Sequence, residues 1–161
     1  WTLAPMDEAD LIVARGTFTI KDGSTLVHKK HDGDEAYYQA YHEQLSKAAQ
    51  RKVPMLVANP DKIRPDANRS PMPGTIGTDY EAKLRELGNA SDPSAMVKYV
   101  GKPFADVYEI ALRGKDKSKV CMIGDALETD VAGGSAAGID TIWVVKNGIH
   151  NVDVERLGNG S

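Results

Sequence analysis

Several features are scarce or missing in the 161-residue sequence, and each absence excludes a class of protein. Cys121 is the single cysteine, so neither a disulfide framework nor a cysteine-based zinc site can form within one chain. The longest apolar runs fall far short of the roughly 20 residues that a membrane helix needs. The net charge of −3 lacks the basic excess expected of a general nucleic-acid-binding protein. No secretory signal is visible, and with the single cysteine this favours the cytoplasm.

The composition that remains is ordinary for a globular protein. Apolar residues make up 41% and charged residues 27%, and the length suits one large domain or two small ones. Cys121 lies inside an apolar run, which predicts a buried and unreactive thiol. His28, His31 and His42 lack an evident metal-ligand spacing and are interpreted as surface residues.

Strand-like and helix-like segments alternate along nearly the whole chain. Strands are predicted over residues 9–19, 53–59, 95–100, 119–124 and 140–145, and helices over 34–52, 74–89, 104–115 and 127–138. This order predicts an α/β architecture with parallel strands and helices on the faces. The last strands are apolar without clean alternation, which predicts that both of their faces are covered. Three prolines mark residues 61–74 as a long loop.

An acid pair follows the apolar run "VCMIG" (120–124), with Asp125 directly after it and Asp130 five residues later. Ligands of parallel α/β sheets gather beyond the carboxyl ends of the strands, and Mg²⁺ prefers one or two carboxylates with waters and phosphate oxygens. Asp125 is therefore a natural metal ligand, and Asp130 could orient a metal-bound water or a lysine. The competing interpretation is that Asp125 or Thr129 caps the next helix and Asp130 stabilises its first turn.

Lys102 stands at the junction of a predicted strand and a predicted helix, and Pro103 favours a helix start there. A lysine at this junction would project near the same sheet edge as Asp125. Its ammonium could offset the negative charge of a metal-bound phosphate as the transition state forms. The alternative is a solvated surface lysine. The small residues of "AGGSAAG" (132–138) are expected to let their helix approach the sheet closely.

Two segments, "VGKPFADVYEIAL" (100–112) and "VCMIGDALETDVAGGSAAGIDTIWVVKNGIH" (120–150), resemble the haloacid dehalogenase (HAD) superfamily of phosphatases. They match its lysine motif and its GDxxxTD motif in order and spacing. "VANPD" (57–61) and "PGTIGTDYEAKL" (73–84) are similar to the cap of subfamily IIA, the NagD-like branch. The resemblance implies a cap-like α/β domain over residues 1–97 and the C-terminal half of a Rossmannoid three-layer catalytic core over 98–161.

The resemblance also implies what the intact protein does: Mg²⁺-dependent hydrolysis of small phosphate monoesters through a phosphoaspartate intermediate. Asp125 would bind the metal, Asp130 would support it, and Lys102 would hold the phosphate. Asn59 and Asp61 would reach from the cap toward the leaving group of a small phosphorylated metabolite. No nucleic-acid or membrane partner is implied, and a homo-oligomer formed through the cap is among the assemblies that the resemblance allows.

One part of the family pattern is missing. The nucleophile of these phosphatases lies in a DxDG-type motif on an N-terminal strand, and the 161 residues contain no such motif. The sequence also begins at Trp1 rather than at a methionine, so we expect a truncated chain or a half supplied by a partner. The chain alone is expected to be inactive, because a phosphoaspartate needs that carboxylate. The alternative is a catalytically inactive module that binds a metabolite, a metal or a protein.

Overall fold

The computed structural model of the chain describes residues 2–31, 33–64, 70–88 and 91–158. It divides into two compact units: unit 1 comprises Trp1–Lys62 and Pro71–Tyr99, and unit 2 comprises Ile63–Ser70 and Val100–Ser161. The main division therefore lies two residues beyond the predicted one, apart from the short segment assigned to unit 2. That unit 1 is a cap and unit 2 is half of a catalytic core stays a prediction.

Unit 1 is built on a parallel sheet with two long helices. Its elements are β1 (Ile12–Ala14), β2 (Thr19–Asp22), β3 (Thr25–His28), α1 (Glu35–Arg51), β4 (Met55–Val57), α2 (Pro73–Glu86) and β5 (Val97–Tyr99). The order in the parallel sheet is β1-β4-β5, with Ile12 opposite Met55 and Met55 opposite Val97. The predicted α/β class is confirmed.

The first helix shows how the sequence specifies its own ends. Asp34 is the N-cap, and its carboxylate accepts a hydrogen bond from the Tyr37 amide at 3.2 Å. At the other end Lys52 takes a left-handed conformation with φ of 56°, which closes the helix. Tyr37, Leu45 and Ala48 recur at helical spacing, and all three lie on the buried face of the helix.

The core of unit 1 forms where α1 and α2 pack on this sheet. Its buried members are Ala14, Leu45, Ala48, Ala49, Met55, Val57, Tyr80, Leu84 and Val97. Side chains such as Met55 and Val57 are almost fully withdrawn from water, and burial of each stabilises the fold by roughly 1.5–3 kcal/mol. The Tyr80 hydroxyl donates to Val53 O at 2.6 Å, which satisfies the one polar atom of the largest core side chain.

The first predicted strand is much shorter in the structure, and a hairpin follows it. Only Ile12–Ala14 joins the parallel sheet, while β2 and β3 pair antiparallel across a two-residue loop. Gly23 in that loop has a φ of +56°, a conformation that glycine adopts without steric cost. The prediction of one long strand over residues 9–19 is wrong in length, since only Ile12–Ala14 forms β1. The hairpin after it was not predicted, although a Gly-Ser pair between two β-branched runs is a hairpin signal.

Unit 2 carries a second, smaller parallel sheet. Its elements are α3 (Ala105–Leu112), β6 (Cys121–Gly124), a π-helical turn (Leu127–Val131), α4 (Ala132–Ala137), β7 (Asp140–Trp143) and α5 (Asn151–Gly158). β6 and β7 pair in parallel, with Ile123 opposite Ile142. The glycines of α4 permit close packing, because a Cβ at Gly133 would overlap the Tyr108 hydroxyl and one at Gly134 would overlap Thr141.

Two predictions about this sheet are wrong. Ile123 is 62% exposed and Ile142 is 56% exposed, so one face of the β6–β7 pair is open rather than covered. Cys121 points to the same open face and is exposed rather than buried. An apolar run without alternation is typical of a strand that is covered on both faces. Within unit 2, however, the close helix contacts, such as Gly134 against Met122, lie on the face opposite Cys121 and Ile123.

The remaining segments agree with expectation to within a few residues. The α2 helix ends just before Gly88, which has a φ of +62° and serves as the predicted stop. Residues 65–69 of the predicted loop 61–74 lie outside the described residues. Within the described part of the chain, every helix is too short or too polar to cross a membrane.

Candidate active site

The candidate site is built on the turn that follows β6. The Val131 amide donates to Ala126 O at 3.1 Å, five residues back, and the Asp130 amide donates to the same oxygen at 2.9 Å. This wider π-helical turn precedes α4, and such turns are often found at functional sites. It carries Asp130 back toward the end of the strand, where Asp125 emerges.

Three donors converge on the carboxylate of Asp130. The Lys102 ammonium lies 2.5 Å from Asp130 Oδ1, while the amides of Asp125 and Ala126 donate to Oδ2 at 2.9 Å and 3.1 Å. Asp130 is only 2% exposed, so its charge depends on these partners. The structure thus brings Lys102 and the backbone of Asp125 together through one buried carboxylate.

Glycine at position 124 makes that arrangement sterically feasible. A Cβ built there would overlap the carboxyl group of Asp130. The side chain therefore lies directly against the backbone at the end of β6, which is how it reaches the next two amides. The glycine before Asp125 is thus explained by the close approach of the Asp130 side chain.

Lys102 is brought to the site by the segment between β5 and α3. The helix begins at Ala105 with Phe104 as its N-cap, one residue later than predicted, and the peptide bond between Lys102 and Pro103 is cis. Lys102 is partly exposed, but its ammonium is paired with a buried carboxylate, which an ordinary surface lysine would not be.

The carboxylate of Asp125 is held by a later segment of the chain. The amide of Ile149 donates to Asp125 Oδ2 at 3.1 Å, and the indole of Trp143 donates to Asp125 O at the same distance. With Lys102 and Asp130, the two carboxylates and one ammonium give a net charge of −1. A net negative charge at a strand end favours a cation.

The donor set fits Mg²⁺ rather than zinc. In the part of the chain that the structure describes, no group of three or more His, Cys, Asp or Glu side chains could hold a metal. Mg²⁺ needs only one or two carboxylates, since waters and substrate phosphate complete its octahedral shell. Asp125, with one oxygen fixed by an amide, could supply such a ligand. Asp130 is already engaged by three donors and suits a supporting position.

Tyr108 is a buried aromatic residue next to the π-helical turn and near Asp130. Its hydroxyl lies 3.5 Å from Thr129 O, and burial, together with the nearby Asp130 charge, raises the pKa of Tyr108. Sequence reasoning missed Tyr108, Trp143 and Ile149. The first two are apolar-pattern residues of ordinary appearance, and the third acts through its backbone amide, which no motif records.

Asn59 and Asp61 belong to unit 1 and form a local turn after β4. The Asp61 amide donates to Asn59 Oδ1 at 3.0 Å, and the Gly74 amide at the start of α2 donates to Asp61 O at 3.0 Å. Gly74 is required by this approach, because a Cβ there would overlap Pro60 O. The turn therefore ties β4 to α2, and its predicted contact with substrate stays a prediction.

The C-terminal part of the chain is similar to the HAD-like hydrolases. Residues 99–159 match the sequence model of the HAD-hydrolase-like family, so the predicted resemblance to the haloacid dehalogenase superfamily is confirmed. The match covers the lysine motif, the β6 turn and β7 in one continuous segment.

Particular relatives include two phosphatase structures and one nucleotidase. The p-nitrophenyl phosphatase of Archaeoglobus fulgidus is 26% identical with a TM-score of 0.56, covering 96% of this chain and 52% of that one. The 4-nitrophenylphosphatase of Thermotoga maritima is 24% identical with a TM-score of 0.55, covering 93% of this chain and 49% of that one. Pyrimidine 5'-nucleotidase PynA of Streptococcus pneumoniae is 45% identical over 53 residues, which is 31% of this chain and 22% of that protein.

The chain thus spans about half the length of the structural relatives that it matches. The likeness to the Thermotoga enzyme, at 24% identity, concerns the fold. The Archaeoglobus structure extends that likeness over both units of the chain.

Proposed function

We propose that this chain is part of a Mg²⁺-dependent phosphatase that hydrolyses small phosphate monoesters through a phosphoaspartate intermediate. The observation that carries the proposal is the convergence of Lys102 and the Asp125 backbone on the buried carboxylate of Asp130. The relatives support the substrate class, because they are named as nitrophenyl phosphatases and a pyrimidine nucleotidase.

Each residue of the site has a distinct part in this proposal. Asp125 would hold Mg²⁺, which when bound neutralises charge on the phosphoryl oxygens. Lys102 orients the phosphate and stabilises the charge that develops on it, an effect worth about 10²–10³ in rate for one such donor. Asp130 fixes the Lys102 ammonium and the Asp125 backbone with its two oxygens. Asn59 and Asp61 of unit 1 are proposed as substrate-selecting residues.

The carboxylate nucleophile must come from elsewhere, because the 161 residues contain no DxDG motif. Attack on phosphorus forms an Asp–O–P bond and releases the alcohol, and water then releases inorganic phosphate. The activity is therefore proposed for the protein that includes such a carboxylate, and the 161-residue chain alone is expected not to turn over.

The test is phosphate release by the full gene product from p-nitrophenyl phosphate and a set of nucleoside monophosphates, with and without Mg²⁺. Lys102→Ala should lower kcat/KM by about 10²-fold or more, and Asp125→Asn should abolish turnover and weaken Mg²⁺ binding. Lys119→Ala, at an exposed lysine of the same unit, is the matched control and should change nothing.

Outcomes against the proposal are equally concrete. Kinetics of Asp125→Asn equal to those of the parent would remove its role as ligand, and a loss below about threefold in Lys102→Ala would make it a surface lysine. An unaltered substrate ranking after changes at Asn59 and Asp61 would remove their assignment. Metabolite or Mg²⁺ binding without turnover by the full product would favour the inactive binding module.

A further inference from the structure

The segment that follows β7 turns back over the turn that follows β6. The amide of Ile149 donates to Asp125 Oδ2 at 3.1 Å. Gly148 permits this approach, because a Cβ there would lie 2.9 Å from the Asp125 Cβ and overlap Val144 O. The carboxylate proposed to hold the cation is therefore oriented by a backbone amide that comes from 24 residues further along the chain.

The side chain of His150 fastens this segment in place. The amide of Leu127 donates to His150 Nε2 at 3.3 Å. The ring lies edge-on to Trp143 with centroids 6.2 Å apart, and Asp153 lies 3.8 Å from Nδ1. The side chain is 18% exposed, and the solvated carboxylate of Glu128 lies 3.4 Å from Nε2.

His150 thus connects the segment that contains Asp125 to the later segment whose amide binds the Asp125 carboxylate. Its own backbone is adjacent to Ile149, whose amide holds the Asp125 carboxylate, and its ring accepts from Leu127, two residues beyond Asp125. Movement of the ring away from Leu127 would release the Ile149 amide from Asp125 Oδ2. Without that bond the carboxylate can rotate about its own axis.

We infer that His150 is a positioning residue for Asp125: it holds the Ile149 amide against one carboxylate oxygen and so fixes the orientation in which the other meets a cation. This inference rests on the proposed function in one respect, namely that Asp125 binds Mg²⁺. Hydrogen bonds to ligating carboxylates from residues outside the coordination shell typically contribute 10–100-fold to metal affinity. His150 itself does not touch the substrate or the reacting atoms.

The competing explanation is that His150 merely starts α5. The amide of Val154 donates to His150 O, and the imidazole contacts Asp153 in the first turn of the helix. A role confined to the helix would affect the amides of α5 and leave those of Leu127 and Ile149 unchanged. The two explanations therefore differ in which amides lose protection.

The first measurement is the Mg²⁺ affinity of the full gene product, determined by isothermal titration calorimetry. His150→Ala should raise the Kd for Mg²⁺ by about 10-fold or more, and His150→Gln should recover most of that loss because its amide oxygen can accept from Leu127. The control is His42→Ala, which removes an exposed histidine of α1 in unit 1 and should leave the Kd unchanged.

The second measurement needs no metal and separates this inference from the proposed function. Hydrogen exchange of the Leu127 and Ile149 amides in His150→Ala should quicken by about 10-fold, while amides of α1 keep the rates of the parent protein. Unchanged exchange at both amides, or faster exchange confined to α5, would overturn the inference. If the parent binds no Mg²⁺, or Asp125→Asn binds it equally well, the metal assignment fails and exchange alone decides the positioning role.

Discussion

Replacement of Asp130 by asparagine tests the central contact of unit 2. The carboxylate accepts from one ammonium and two backbone amides, and it is almost completely buried. An asparagine side chain offers one oxygen and one NH₂ group to the same three donors. At least one donor must then face another donor, whichever way the amide is turned.

The expected cost follows from these contacts. A buried donor left without an acceptor costs about 1–3 kcal/mol, and removal of one partner of a buried ion pair costs about 3–5 kcal/mol. The Lys102 side chain is 37% exposed, so water can solvate part of its charge once the pair is broken. We therefore expect Asp130→Asn to lower the unfolding free energy of unit 2 by about 3 kcal/mol.

Urea denaturation followed by Trp143 fluorescence, in a Trp1→Phe background, measures this loss where it occurs. With m of about 1–3 kcal/mol/M the midpoint should fall by roughly 1–3 M. Asp140→Asn is the control, since this exposed aspartate lies in the same sheet and should change stability by less than about 0.5 kcal/mol. A double-mutant cycle with Lys102→Met separates the ion pair from the two amide bonds. A fall no larger than that of the control would refute the reasoning.

Three further predictions concern close packing and titration. Gly124→Ala should destabilise unit 2 by about 1–3 kcal/mol in the same urea experiment, because the added methyl group displaces the Asp130 carboxyl group, and Gly158→Ala in the same unit, where nothing lies within 4 Å, should not. Burial raises the pKa of Tyr80 to about 12, so its contribution to stability is complete below pH about 10 and is lost as the pH rises toward 12. Helical circular dichroism should therefore fall over that window, with a weaker pH dependence in Tyr80→Phe; identical curves would contradict this. The backbone amide of Lys30 holds the pKa of Asp34 below its usual value of 3.8, so the stabilisation is present at neutral pH and is lost as the pH falls below that value. An acid titration of Asp34→Asn should lack this component, and a full acid transition in the variant would count against the assignment.

Much of the fold could be predicted because local signals agree with tertiary packing. α1 carries a cap at Asp34, an apolar face with helical spacing and basic residues near its end, and it forms over Glu35–Arg51 as expected. The β2–β3 hairpin was missed because the predicted strand stopped at Thr19 and the following residues were given no element, although Gly23 marks the turn. The open face of β6 could not be predicted, since an apolar strand has the same sequence whether or not something covers Ile123.

The candidate site also contains residues that the sequence could predict and residues that it could not. Asp125, Asp130 and Lys102 are recognisable because they follow strands within the segment that matches the HAD-hydrolase-like family. Their partners Ile149 and His150 are not, because one contributes an amide and the other a contact between segments 23 residues apart. Such contacts depend on the path of the chain between strands, which hydrophobic periodicity does not specify.

The direction in which Asp130 points depends on the number of residues in the π-helical turn after β6 as much as on which residues they are. Each residue of a helix rotates its successors by roughly 100°. Deletion of one residue from Leu127–Val131 would tighten the turn to an ordinary α-helix and swing the following side chains around the axis. Even with every motif residue retained, a shorter relative of this protein would direct its second aspartate away from the lysine.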